Sequence, residues 1–141
     1  RGPTDLGYLD GPLGSTKPRS SYYHLQLLAQ NFAGHYAPAT SSEPLLRVVA
    51  AGDGSHVSVA LLNESLDQSY DFGVRLDKGP LTQPKSVSVA VDAALAVEYS
   101  GTLAAQATEL LVFDSAGKLG KRVDYAIADA RSATAPRVTT P

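Results

Sequence analysis

The sequence predicts an all-β chain: an antiparallel β-sandwich of about seven to eight strands with one N-terminal α-helix. Three observations carry this. From residue 45 onward apolar side chains recur at every second position, the period of a half-buried strand. Turn residues interrupt that pattern at short intervals, as in sandwiches and barrels. One earlier run, residues 20–34, has the 3.6-residue period of a helix instead.

Taken in order, residues 1–19 hold four Gly and three Pro without periodicity, and read as an extended segment or linker. In the helix, Leu25, Leu28, Ala29 and Phe32 fall at i, i+3, i+4 and i+7, one face that would pack on the sandwich or on a further domain. Ser20 or Ser21 is placed to cap its start, and Gly34 to stop it. The β-sandwich is expected over 45–128. Two apolar runs, Leu45–Ala51 and Ser55–Asn63, flank Gly52-Asp53-Gly54 and predict a hairpin. Tyr70, Phe72, Val74 and Leu76 alternate with polar or small neighbours, as do Val87, Val89 and Val91, and then Leu95, Val97 and Tyr99. Leu110–Phe113 is a short apolar strand. Leu119, Val123, Tyr125 and Ile127 share one parity, with Arg122 and Asp124 on the other. Such alternation predicts sheets with one dry and one wet face. Residues 129–141, rich in Ser, Thr, Ala and Pro, read as a flexible tail or linker.

The bulk numbers narrow the function classes. A chain of 141 residues suits one domain with a core of its own. Net charge is −2 with no basic block, so no nucleic-acid partner is expected. No apolar run reaches membrane-spanning length, so no membrane partner is expected either. With no Cys, packing alone must hold the fold. The chain starts at Arg1 and shows no signal peptide, and is expected to be a processed piece of something longer.

Chemistry-bearing residues are sparse. His24, His35 and His56 have no metal-ligand spacing, and no metal site is expected from them. Gly52-Asp53-Gly54-Ser55 offers oxygen ligands but lacks the EF-hand spacing, so the hairpin turn is the better reading. No cofactor is expected, and a structural calcium elsewhere in a sandwich loop stays open. Glu98 and Glu109 are the carboxyls a glycosidase reading would pair, but Glu98 alternates outward between Val97 and Tyr99. No catalytic residue is therefore expected. Sugar surfaces present aromatic rings. Tyr8, Tyr22, Tyr23 and Tyr36, gathered around the helix, are the candidate carbohydrate-binding residues, while the strand aromatics share parity with the core. Asn63-Glu64-Ser65 fits the N-glycosylation pattern, relevant only in a eukaryotic secretory host.

Three stretches together resemble a known architecture: Lys17-Pro18-Arg19-Ser20-Ser21-Tyr22-Tyr23-His24-Leu25-Gln26-Leu27-Leu28 ending near Phe32, then Val48 through Asn63, then Glu109 through Leu119. Their order resembles the C-terminal β-sandwich of retaining glycoside hydrolases built on a (β/α)8 barrel, of the type of families 39, 44, 30 and 51. The resemblance spans residues 17 to 127 and rests on texture and order. It implies a non-catalytic accessory domain of a secreted bacterial polysaccharide-degrading enzyme. Such a domain stabilises the barrel or assists polysaccharide binding. It also implies that the catalytic carboxylates lie on barrel strands outside this chain. The partners implied are a polysaccharide or the catalytic domain of the same parent chain. Two alternatives stand beside it: an independent carbohydrate-binding module for soluble plant polysaccharide, and a structural or adhesion sandwich with no sugar role.

Overall fold

The structure is a computed structural model, and it describes residues 9–11, 16–78, 84–91 and 98–141. Among these the elements run β1 (Leu9–Asp10), β2 (Lys17–Pro18), α1 (Ser20–Asn31), β3 (His35–Ala37), β4 (Ala39–Ser41), β5 (Leu46–Gly52), β6 (His56–Asn63) and β7 (Tyr70–Lys78). They continue with β8 (Pro84–Val91), β9 (Tyr99–Leu103), β10 (Thr108–Asp114), β11 (Leu119–Tyr125), α2 (Ile127–Arg131) and β12 (Arg137–Thr139). A six-stranded sheet, β12-β11-β10-β6-β5-β3, stacks on a four-stranded one, β4-β8-β7-β9, while β1 and β2 form a separate ribbon. Every ladder is antiparallel except β4–β8, which is parallel. The chain is thus the mostly β, antiparallel, sandwich-like fold that the alternation predicts.

The expected hairpin forms. β5 and β6 pair from Leu46↔Asn63 to Gly52↔Val57. Asp53 closes the turn, its carboxylate accepting from the Ser55 and His56 backbone N–H groups and from the Ser55 hydroxyl. Those bonds hold the Asp53 carboxyl down at about 2. Ala37-Pro38-Ala39 carries the chain from the six-stranded sheet to the four-stranded one. Gly34, at φ +89°, lies so close to Gly52 that any Cβ would overlap its carbonyl.

The core between the sheets takes Val57, Val59, Leu61, Leu111 and Phe113 from one side and Tyr70, Phe72, Val74, Leu76 and Leu103 from the other. Behind the six-stranded sheet, α1 supplies a third layer. Its Leu27 packs with Ala60, Leu110 and Val123. This corrects two expectations. β6 and β10 are covered on both faces, so their side chains are buried almost continuously rather than on one parity. And the buried face of α1 is the one bearing Leu27 (3% exposed), whereas Leu25 and Leu28 stand 50% and 41% exposed. The N-cap is Arg19, with Ser20 already helical.

A third correction concerns β11. The ladder with β10 slips between Val112 and Phe113: Phe113 faces Leu119, but Val112 faces Lys121. Gly120 is the extra residue of a β-bulge, and a single inserted residue reverses parity. Leu119 therefore joins the inter-sheet core, while Val123 turns to the helix side. Ile127, expected on the same strand, opens α2 instead. Within 129–141, read from composition as tail or linker, the chain completes α2 and adds β12, paired with β11 from Arg122↔Thr139 to Asp124↔Arg137. Pro84 begins β8. Leu95 and Val97, and the side chains of Val87, Val89 and Val91, lie outside what the structure describes. Among the described residues no helix is long and apolar enough to cross a membrane.

Candidate functional site

The bulge at Gly120 decides what the far end of β11 presents. Past it, Arg122 and Asp124, expected on a wet face, share the parity of Glu109, Leu111 and Phe113, and so point between the sheets. Here the larger sheet meets β9, the edge of the smaller one. The Tyr99 ring from β9 reaches across, and its hydroxyl accepts from Arg122 Nη1 at 3.3 Å. Arg122 also pairs with Asp124 at 2.9 Å, through Nε and through Nη2. The cavity left at this edge measures about 300 Å³; Glu109, Arg122, Asp124 and Arg137 supply its charged lining, with Thr108 and Tyr125 beside them.

Glu109 is the unusual member. It is 3% exposed and its Oε1 has no hydrogen-bond partner. Its register neighbours are Leu61 on β6 and Asp124 on β11. Burial pushes its carboxyl up to about 7, the Tyr99 hydroxyl and Arg122 pull the other way, and the Asp124 charge adds to the rise. The Tyr99 hydroxyl is raised in turn, first by burial and then by the Glu109 charge. Arg122 is held more firmly protonated, chiefly by its bond to Tyr99. The site thus combines a carboxyl that is neutral in mild acid, an ionised Asp–Arg pair and a phenol.

This is a facing acid pair in a cleft made by the chain itself, which the sequence did not suggest. Glu109 and Asp124 are direct ladder partners on β10 and β11. Glycosidase carboxyls stand about 5–10 Å apart to admit the sugar linkage. Glu98 does not complete such a pair, because its Oε2 accepts from the Leu76 backbone N–H at 2.9 Å.

Among the described residues, the tyrosines gathered by the sequence reading do not form one ring cluster. Tyr22 and Tyr23 meet edge-to-face at 5.6 Å within α1, and Tyr23 meets Tyr125 edge-to-face at 6.3 Å, so the Tyr23 ring helps to seat α1. Tyr36 stands on the edge strand β3, 75% exposed, with no ring contact to them among the described residues. Tyr8 lies outside the described residues. His24 also serves the helix. Its Nδ1 donates to the Ser20 carbonyl at 2.9 Å, its Nε2 lies 3.4 Å from the Thr108 hydroxyl, and its ring sits 4.6 Å from that of Tyr125.

Glu109, Asp124, Arg122 and Tyr99 are the residues that sequence reasoning missed as a group. Two signals were present. One is a lone Glu opening the run Glu109-Leu110-Leu111-Val112-Phe113. The other is a Gly inside a strand pattern, a mark of a bulge. No protein-family model, curated protein or solved structure matches this chain.

Proposed function

We propose that the chain is a non-catalytic accessory β-sandwich domain of a secreted polysaccharide-degrading glycoside hydrolase, and that it steadies the catalytic barrel through the outward face of α1. The observation that carries this reading is the two-sided helix. Leu27 faces its own sheet, yet Leu25 and Leu28 present a second apolar row to the outside. A helix apolar on both sides is the pattern of an element buried between two bodies. The resemblance of residues 17–127 to sandwiches that pack beside a (β/α)8 barrel names the second body.

The test uses the natural full-length gene product. It should hydrolyse a soluble glucan, xylan or mannan, and the 141-residue chain alone should not. In the full-length enzyme, Leu25→Glu with Leu28→Glu should lower the barrel's melting temperature by several degrees, about 1 kcal/mol of lost burial per Leu. The same pair of changes should leave the isolated sandwich nearly unaffected. A gene product without a hydrolase domain, or a barrel that melts unchanged, overturns the reading.

A further inference from the structure

We propose that the edge cleft between β9 and β11 is a binding subsite for a neutral saccharide, with Glu109 as its buried hydrogen-bonding group. The first argument is the orphaned atom. An unpaired buried polar oxygen costs about 1–3 kcal/mol, so nearly all such atoms in folded proteins have partners. Glu109 Oε1 has none, and its residue lines the cavity. A small turn of the Glu109 side chain into the cavity would let a ligand hydroxyl satisfy it.

The second argument is charge. The guanidinium of Arg122 is already paired with Asp124 at 2.9 Å, and Arg137 lies 3.9 Å from Asp129. The cations are balanced from within, leaving no surplus charge to hold a phosphate or a carboxylate. What the cleft does offer is a mixture of donors and acceptors: a carboxyl that is neutral in mild acid, a carboxylate and guanidinium N–H groups. Hydroxyls donate and accept at once, so a polyol matches such a set and a simple anion does not. The third argument is shape. A cavity of about 300 Å³ is at the small end of ligand sites, suited to one or two sugar rings. Leu103, Ala104 and Ala107 give it an apolar side for a ring's C–H face. Its Glu109, Arg122 and Asp124 share the parity that faces between the sheets, while Thr108 and Tyr125, which also line it, are contacted from the other side by His24 and Tyr23 of α1.

The inference takes only its ligand's source, a polysaccharide, from the proposed function. The experiment is amide-resolved NMR titration of the chain with xylohexaose, cellohexaose and mannohexaose, with inorganic phosphate as the charged control. One hexaose should shift amides around residues 102–109 and 122–126 with a millimolar Kd, and phosphate should not. Glu109→Leu, which removes the acceptor, should weaken that binding by about fivefold, the loss of one good hydrogen bond. Ala104→Trp, which fills the cleft from an exposed position, should abolish it even if Glu109→Leu folds poorly. Tyr36→Ala should change nothing. No shift with any hexaose, shifts confined to the α1 side, or binding that survives Ala104→Trp overturns the proposal. A gene product lacking a hydrolase domain whose cleft still binds a hexaose sinks the accessory reading alone. A true hydrolase whose sandwich binds none sinks this subsite alone.

Discussion

Glu109 faces Asp124 directly across the β10–β11 ladder, with both side chains turned between the sheets. Two carboxyls in that position cannot both carry charge cheaply, and the fold resolves the conflict by difference of environment. Asp124 keeps Arg122 at 2.9 Å, while Glu109 is sealed and held toward its neutral form. Tyr99, from the opposite sheet, ties the group together through Arg122. The arrangement exists because one residue, Gly120, bulges out of β11.

Ionisation of Glu109 should shape the pH dependence of stability. The group titrates near 4.5 in the unfolded chain and at about 7 in the fold. Its folded value is the higher, so between these limits the folded protein holds a proton that the unfolded one has released. Stability is therefore full below pH 4.5, falls as pH rises, and levels off above 7. The loss from this one group is about 3 kcal/mol. Urea unfolding from pH 4.5 to 8 should show wild type losing stability relative to Glu109→Gln by that amount. Parallel curves would show that folding leaves the titration of Glu109 unshifted.

Asn63 closes one end of the sandwich and should not tolerate a charge. Its Nδ2 faces the carbonyls of Gln68, Leu103 and Ala104 at 2.8 to 3.1 Å, and its Oδ1 accepts from the Ser65 backbone N–H. Asn63→Asp sets a carboxylate against three carbonyl oxygens and should cost about 3 kcal/mol or more in denaturant unfolding. A glycan on Nδ2 would break these bonds, so modification at Asn63 and this fold exclude one another. Chain secreted folded from a eukaryotic host should carry no glycan at Asn63; mass spectrometry reads this directly.

Legibility followed the length of each signal. The β5–β6 hairpin rests on seven paired positions and a turn dipeptide, and β7 on alternation from Tyr70 to Leu76; both stand where the sequence put them. β3, β4 and β12 have three residues each, too few to establish a period. The edge cleft was hidden for another reason. Parity counted along Leu119–Tyr125 assumes an unbroken ladder, and the bulge at Gly120 inverts it, turning an expected wet face into an inner one. The helix face failed because Leu25, Leu27 and Leu28 offer two apolar stripes. Only the sheet beneath, with Ala60, Leu110 and Val123, selects between them.

That selection can be measured. Leu27 closes a small cluster under α1, and Leu27→Ala removes a filled volume that the two-sheet core cannot supply from elsewhere. The cost should be about 2–4 kcal/mol, with α1 undocking first. Leu25→Ala and Leu28→Ala should each cost under about 0.5 kcal/mol in the isolated chain. Amide hydrogen exchange along Ser20–Asn31 reports the undocking. Equal costs at Leu25 and Leu27 would place the wrong face of the helix on the sheet.

Tyr125 gives the opposite sign. Its ring is fully buried under α1, against His24 at 4.6 Å and Tyr23 at 6.3 Å, yet its hydroxyl has no hydrogen-bond partner. Burial, with the charges of Tyr23 and Asp129 behind it, raises the phenol above its ordinary value. The ring therefore contributes packing while the oxygen is a liability. Tyr125→Phe keeps every ring contact and removes the unsatisfied group, so it should leave stability unchanged or raise it by up to about 1 kcal/mol. Tyr125→Ala, which also loses the ring, should cost about 3–5 kcal/mol. The two together separate ring from hydroxyl in one urea series. A loss above about 1 kcal/mol for Tyr125→Phe would mean that the hydroxyl is bonded in solution, with the nearby Asp129 carboxylate as its first candidate partner.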